Sequence, residues 1–485
     1  MAQYQTPGVY VEEISKFPPS VAGVATAIPA FIGYTESQPN NGIKPVKISS
    51  LLDFENKFGK RPSYANKDCV LYDSMRLFYD NGGGECYVVS VGKHEDSKSK
   101  DNYQTAINSL EKVDEVTLVL FPDAAKLFTV SELGDIQKSA LAHCAKMGDR
   151  FAILDISLNK EETEDEDNQE EVLSSEKLCE QFRNNIGTNN LSYGAAYYPY
   201  VITSYSKDIT YDEVAGVLPN LNQSLKKKIY LETAKNSDKY KDIFAVTGDL
   251  TEKQEKAIDQ AEKEIEADRL FKINEIIAKS KEYQEKAAEM EAEMNILPPS
   301  GAIAGIICAT DRTKGVWQAP ANVSLAGVRS LSEDLTDDDQ ANMNITSNGK
   351  SINAIRKFTG KGLLVWGART LDGNSNEWKY IPVRRLFNYI EESVQKSTSW
   401  AVFQPNDANT WVKIQCQIEN FLTSLWRDGA LAGSTPDKAF YVKVGLNETM
   451  TSDDILNGNL IVEIGLAAVR PAEFIVLKFS HKVQE

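Results

Sequence analysis

Short apolar runs alternate with amphipathic stretches over the first 311 residues, and this alternation predicts strands and helices in turn. Residues 27–34 (AIPAFIGY) read as a buried strand. Residues 70–79 read as a helix, because Leu71, Met75 and Phe78 recur at helical spacing. Asn81 and the glycines at 82–84 turn the chain into a further strand at 86–91. Segments 116–123 (VTLVLFPD), 150–156 (RFAILDI), 194–202 (GAAYYPYVI) and 301–311 (GAIAGIICATD) are apolar runs expected to be strands, with a helix over 133–145. Strands apolar on both faces and separated by helices predict a parallel α/β sheet.

The pattern changes toward the C-terminus. Residues 353–366 read as a helical turn (AIRKF) running into a buried strand (GLLVWG). Residues 383–394 predict a helix with Val383, Leu386, Phe387, Ile390 and Val394 inward, leaving Arg384, Arg385, Glu391 and Glu392 more exposed. A second amphipathic helix spans 411–427, with Trp411, Ile414, Ile418, Phe421, Leu422 and Leu425 as its stripe and Gly429 just past its end. Strands are expected at 459–469 and 473–479, split by Arg470-Pro471. In the last, Phe474 and Val476 face one way while Ile475, Leu477 and Phe479 face the other, so both faces need cover. Near the N-terminus, residues 8–14 (GVYVEEI) read as a short strand from Val9, Tyr10 and Val11 to Ile14. No hairpin turn joins it to the next apolar run. Such a strand must pair at long range or with another chain.

Two segments stand apart. Residues 161–171 (EETEDEDNQEE) carry too little apolar surface to offset the entropy of ordering, which predicts a solvated loop. Residues 251–295 are the most helical stretch: Thr251 and Gln254 resemble a capping box, and no Gly or Pro interrupts the run. Ile258, Ala261 and Ile265 form one apolar stripe; Ile273, Ile276, Ile277, Tyr283, Ala287, Met290 and Met294 form another. One unbroken helix would extend roughly 65 Å at 1.5 Å per residue; a break near 268–270 would give a hairpin, and both stay open. Segment 206–295 reads as a tolerated insertion whose deletion leaves assembly intact.

Composition narrows the chemistry. A chain of 485 residues is too long for one ordinary core, so two or three domains are expected. A net charge of −17 counts against nucleic acid or an anionic membrane as partner. The six cysteines are scattered without a CxxC pair, and are expected reduced and partly buried. None of the three histidines (His94, His143, His481) sits near a cysteine pair, so no metal or cofactor site is assigned. Nor does a nucleophilic serine motif follow any histidine, so no catalytic residue is assigned. Gly349-Lys-Ser351 has Asn344 where a phosphate-binding loop needs glycine, and reads as an ordinary loop. No apolar run approaches the ~20 residues that span a bilayer, and the first residues lack a secretory pattern. The chain is expected to stay in the cytoplasm of the cell that makes it.

Six segments carry a resemblance: TPGVYVEEI (6–14), YDSMRLFYDNGGGECYVVSVG (72–92), PPSGAIAGIICATD (298–311), GVWQAPANVSLAGV (315–328), AIRKFTGKGLLVWGARTLDG (354–373) and NGNLIVEIGLAAVRPAEFIVLKF (457–479). Together they resemble the contractile tail sheath family: phage tail sheaths, R-type bacteriocin sheaths and the sheaths of contractile injection systems. The resemblance lapses over roughly 157–176 and 206–295. It implies a multidomain α/β and α+β fold, with a non-catalytic subtilisin-like α/β domain, a C-terminal α+β sheath domain and extended strand arms at both ends. The expected boundaries are an arm and linker at 1–22, an N-terminal part of the core at 23–92 and the subtilisin-like domain at 93–311. That domain would carry the acidic loop 157–176 and the helical insertion 206–295. The C-terminal sheath domain would span 312–472, and the second arm 473–485.

By the same resemblance, Val9, Tyr10, Val11 and Ile14, with Phe474, Ile475, Val476, Leu477 and Phe479, would enter neighbouring subunits and complete a sheet there. Copies would stack as six-fold rings around an inner tube protein, with baseplate and terminal cap proteins and paralogous sheath subunits as further partners. Contraction would drive the tube through a target envelope, without a cofactor and without membrane insertion. Arg384 and Arg385 are the candidate tube contacts. A phage tail, a bacteriocin and a static shell remain alternatives; the charged insertion and acidic loop favour a dedicated injection system assembled in the bacterial cytoplasm.

Overall fold

A computed structural model describes residues 20–39, 42–159, 173–218, 224, 231, 251–263 and 280–475. In chain order its strands are β1 (Pro29–Thr35), β2 (Pro45–Ile48), β3 (Cys86–Lys93), β4 (Leu118–Leu120), β5 (Phe151–Asp155), β6 (Gly194–Tyr198) and β7 (Val201–Thr203). Then come β8 (Ile296–Leu297), β9 (Val323–Ser324), β10 (Val328–Leu331), β11 (Ile352–Phe358), β12 (Gly362–Val365), β13 (Phe440–Lys443) and β14 (Glu463–Leu466). The helices that matter below are α1 (Leu71–Asp80), α2 (Val130–Met147), α3 (Lys281–Met294), α4 (Ser300–Lys314), α5 (Asp337–Asn344), α6 (Ile381–Ser397) and α7 (Ala408–Arg427).

The body is a nine-stranded sheet in the order β2-β3-β1-β4-β5-β6-β11-β12-β9. The run from β3 to β11 is parallel, as the doubly apolar strands predicted. β2, β12 and β9 pair antiparallel at its edges. Period-two alternation divides each strand between two cores. Ala30, Ile32 and Tyr34 of β1, with Ala152 and Leu154 of β5, enter a core roofed by α2. Phe31, Phe151 and Ile153 enter the opposite core, which α1 and α4 cover. Helix α2 starts at a Thr129/Glu132 capping box and stops at Gly148, whose φ of 80° suits a residue without a Cβ.

Three expectations are corrected here. Residues 301–311 are helical: α4 is buried along most of its length, so its uniformly apolar composition reflects burial on every side rather than a two-faced strand. Gly301 and Gly305 let it lie against α1, since a Cβ at either would meet the Ser74 or Phe78 carbonyl oxygen at 2.5 Å. AIRKF is a strand, not a helical turn: β11 and β12 form a hairpin pairing Ile355 with Val365 and Phe358 with Gly362. Segment 194–202 is interrupted at Pro199, and β7 leaves the main sheet for the small one ordered β10-β7-β8. The main sheet also takes strands from both sides of the boundaries expected at 92/93 and 311/312, so the β-structure is continuous across them.

A separate core lies beyond the sheet. Leu386 and Ile390 of α6 meet Ile414, Ile418 and Leu422 of α7, with Val442 of β13 closing the cluster. The helical insertion is attached to the body at its base. Lys207 forms a buried ion pair with Asp73 of α1 at 2.6 Å, and its N–H donates to Glu291 of α3 at 2.9 Å. Tyr283 and Met290 of α3 pack with Val214 and with Ile258 of the helix Glu252–Lys263. The expected break near 268–270 and the acidic run 161–171 lie outside the described residues.

Candidate assembly interface

The two ends of the described chain are each fastened to α6 or its neighbours. At the N-terminal end, the Ala22 and Val24 N–H groups donate to the Ser397 and Ser393 hydroxyls, each at 3.2 Å. Arg385 donates to the Thr26 carbonyl at 2.9 Å, and the Ile28 N–H donates to Thr117 Oγ1 at 2.8 Å. Gly23 lies under the Tyr389 hydroxyl, where a Cβ would collide. Residues 1–19, with Val9, Tyr10, Val11 and Ile14, lie outside the described residues.

At the other end, Glu473 is gripped by four donors. Arg369 Nη2 and Nε reach it at 2.5 and 2.9 Å, Asn344 Nδ2 at 2.9 Å and the Tyr380 hydroxyl at 3.2 Å. Burial by itself would raise the Glu473 pKa, but the Arg369 guanidinium and the other donors outweigh it and hold the group below the ordinary carboxylate value. Phe474 and Ile475 follow immediately, exposed at 67% and 79% and in no strand of this chain. Val476, Leu477 and Phe479 lie outside the described residues.

Between these ends, β13 and β14 form a two-stranded antiparallel sheet pairing Phe440 with Leu466 and Lys443 with Glu463. One face covers the α6–α7 core; Tyr441 on the other is 46% exposed. Among the described residues no third strand joins it. Among the described residues, nine of the thirteen large apolar side chains left exposed fall between Val402 and Ile475, which concentrates uncovered apolar surface in this stretch.

Arg384 and Arg385 are not on an exposed basic face. Both are 4% exposed. Arg385 makes a two-pronged ion pair with Asp311 of α4, at 2.5 and 2.9 Å. Arg384 donates to Asn388 at 2.7 Å and lies over the Trp378 ring, 4.1 Å from its centroid. Glu392, also expected outside, is buried and pairs with Lys396 at 2.5 Å; Glu391 is exposed as expected. The apolar stripe marks only one buried side of this helix, and α6 is buried on its polar side as well. The expectation of an exposed tube-contacting pair therefore loses its basis.

His94 and His143 are accounted for by packing, and His481 lies outside the described residues. His94 and His143 are buried, and burial lowers both to about 4, so they are neutral at physiological pH. His143 Nε2 sits 2.7 Å from Arg150, itself fully buried. Sequence reasoning missed a buried carboxylate pair of sites in the body. Asp155 accepts from the Ser300 N–H at 3.0 Å and from its hydroxyl, at the start of α4. Burial pushes Asp155 and Asp123 up to about 7. No sequence signal marks Asp155–Ser300 or Arg369–Glu473, because their partners are 145 and 104 residues apart. Among the described residues, no group of three His, Cys, Asp or Glu side chains could hold a metal, and no helix is long and apolar enough to cross a membrane.

A family model for the phage tail sheath C-terminal domain matches residues 374–482, the stretch holding α6, α7, β13, β14 and the Glu473 root. The tail sheath proteins of Vibrio phage KVP40 and Enterobacteria phage T4 are 23% and 22% identical over 184 residues, 38% of this chain. The aligned stretch spans only 26% and 27% of the length of those two proteins. End-to-end likeness comes from solved structures. The contracted PVC sheath complex of an extracellular contractile injection system matches at 27% identity and a TM-score of 0.65, covering 100% of this chain and 99% of that one. The three likenesses converge on the contractile tail sheath family. A second sheath, the contracted helical sheath of the anti-feeding prophage (AFP), matches at 28% identity and a TM-score of 0.63, covering 99% of this chain and 100% of its counterpart. Sheath proteins are structural, and the mixed α/β architecture of this one is that of the sheath structures it matches.

Proposed function

We propose that this chain is the sheath subunit of a contractile injection apparatus, polymerising as stacked six-fold rings around an inner tube and contracting to drive that tube through a target envelope. The observation that carries this reading is the likeness to the PVC and AFP sheath chains over essentially the full length of each. The phage tail sheaths align over a shorter stretch and at lower identity, which favours an injection system over a phage tail. Residues 1–22 and 473–485 serve as the arms, and the open β13–β14 sheet of a neighbouring copy receives them by strand addition, main chain to main chain. The exposed apolar side chains between Val402 and Ile475 become the covered face. Baseplate and cap proteins close the ends of the particle, which is assembled in the bacterial cytoplasm.

No covalent step is needed, and the subunit is not an enzyme. In this reading the parallel-sheet body takes the place of the family's non-catalytic subtilisin-related domain, a role consistent with His94 and His143 being buried and neutral. The work comes from two packings of one subunit that differ in buried interface. Several hundred Å² gained per subunit at ~25 cal/mol/Å² supplies several kcal/mol before the costs of association. Negative-stain microscopy tests this, comparing the full chain with one lacking residues 1–20, each alone and co-expressed with the inner tube protein. Hollow striated cylinders from the full chain only are expected. Monodisperse monomers under every condition would overturn the reading.

A further inference from the structure

We propose that Glu473 pins the root of the C-terminal arm, and that α6 acts as a strut holding the roots of both arms at a fixed separation. The inference rests on the reading of residues 473–485 as an inter-subunit arm, and it says what aims that arm. Three segments distant in sequence converge on one carboxylate: Asn344 at the end of α5, Arg369 beyond β12, and Tyr380 at the start of α6. The receptor is built in advance. Arg369 is 5% exposed, its main-chain N–H donates to Asn353 Oδ1 at 2.8 Å, and its Nη1 donates to the Asn344 carbonyl at 3.2 Å. A planar guanidinium held in this way accepts a carboxylate in one orientation.

The grip also ends abruptly. Glu473 has 22% of its side chain exposed, whereas Phe474 and Ile475 project into solvent. The direction in which the chain leaves the body at Phe474 and Ile475 is therefore set by this one residue. Tyr380 ties that root to the N-terminal end of α6, while Ser393 and Ser397 hold the N-terminal root near its C-terminal end. The 17 residues of α6 place the two roots roughly 25 Å apart at 1.5 Å per residue. Because α6 is packed against the body and α7, that spacing is rigid. When subunits reorient, the arms must bend beyond their roots and not at them. An arm aimed in advance loses less freedom when it docks, so the pin lowers the concentration at which copies assemble.

Cys416 is the exposed cysteine among the described residues, the other five being buried, so a nitroxide on it and one on Ile475→Cys report where the arm root points. Double electron–electron resonance on the monomer should give one narrow distance. Glu473→Gln, and independently Arg369→Gln, should at least double its width while the circular dichroism spectrum stays native. Glu473→Gln should also raise the threshold concentration for cylinders several-fold. Unchanged widths in both variants would overturn the pin, and so would an unchanged threshold alongside a broadened arm. If wild-type protein narrows the distance yet forms no cylinder with the tube protein, the arm reading fails while the anchoring of Glu473 stands.

Discussion

Arg385 offers the sharpest test of the fold against the sequence pattern, because the two assign it opposite roles. As an exposed basic residue, its loss would weaken tube binding and leave stability unchanged. As placed here, its guanidinium bridges α6 to Asp311 of α4 and to the Thr26 carbonyl of the N-terminal root. The side chains of Arg385 and Asp311 are 3% and 5% exposed, so water does little to screen the pair. Arg385→Met leaves a buried carboxylate without its partner, which costs about 3–5 kcal/mol, and an unsatisfied carbonyl adds ~1–3 kcal/mol. Partial relaxation and water entry reduce the sum. A loss of about 4 kcal/mol lowers the melting midpoint by roughly 10 °C at 2–4 °C per kcal/mol. Thermal circular dichroism of the single variant and of Arg385→Met/Asp311→Leu measures this, and the double variant should recover most of the loss because no lone charge stays buried. If Arg385→Met melts with the wild type but fails to co-sediment with the inner tube, the buried assignment is refuted.

The remaining predictions concern the body. Asp155 has a folded pKa of about 7, above the ~3.9 of an unfolded Asp, so the folded state holds a proton that the unfolded state releases as pH rises between those values. Its contribution is therefore greatest in acid and is lost toward pH 7, on the order of a few kcal/mol; His94 and His143, lowered to about 4, act in the opposite sense, so the comparison is between variants. Asp155→Asn should resist urea better than wild type at pH 8.5, by less at pH 5, with the gap closing near pH 4, and a gap independent of pH would contradict the assignment. Alanine at Gly305 should lower the melting midpoint by several degrees, since its Cβ meets the Phe78 carbonyl oxygen, which is backbone and cannot swing away. Removing 206–295 strips Lys207 from buried Asp73 and should destabilise the chain most, whereas removing 219–279 and rejoining the ends keeps that pair, gives up the Ile258 packing against Tyr283 and Met290, and should cost less; equal melting of the two would disprove the role of the Lys207–Asp73 pair.

Much of this architecture was legible in the chain. α1, α2, α6 and α7 declared themselves by apolar residues at helical spacing, and β1, β3, β5 and β6 by runs fit for burial on both faces. The family itself was legible from six segments, because those segments are spread over the length of the fold. What misled was any element buried on all sides. The uniformly apolar α4 has no period to distinguish it from a strand, and no pattern in the sequence marks glycines 301 and 305 as contact points against α1. Arg384 and Arg385 lie on the polar stripe of an amphipathic helix, yet Asp311 of α4 receives Arg385, while Trp378 and, one turn along α6, Asn388 receive Arg384. Periodicity reports only how much of an element is apolar. It cannot report that a second surface with matching charges will close over its polar side. The sequence alone determined the layers, the periodic helices and the likeness; the tertiary structure decided which charges are buried, how the two ends of the described chain are held, and which donors grip Glu473. Those facts depend on partners over a hundred residues apart, and only folding brings them within hydrogen-bonding distance.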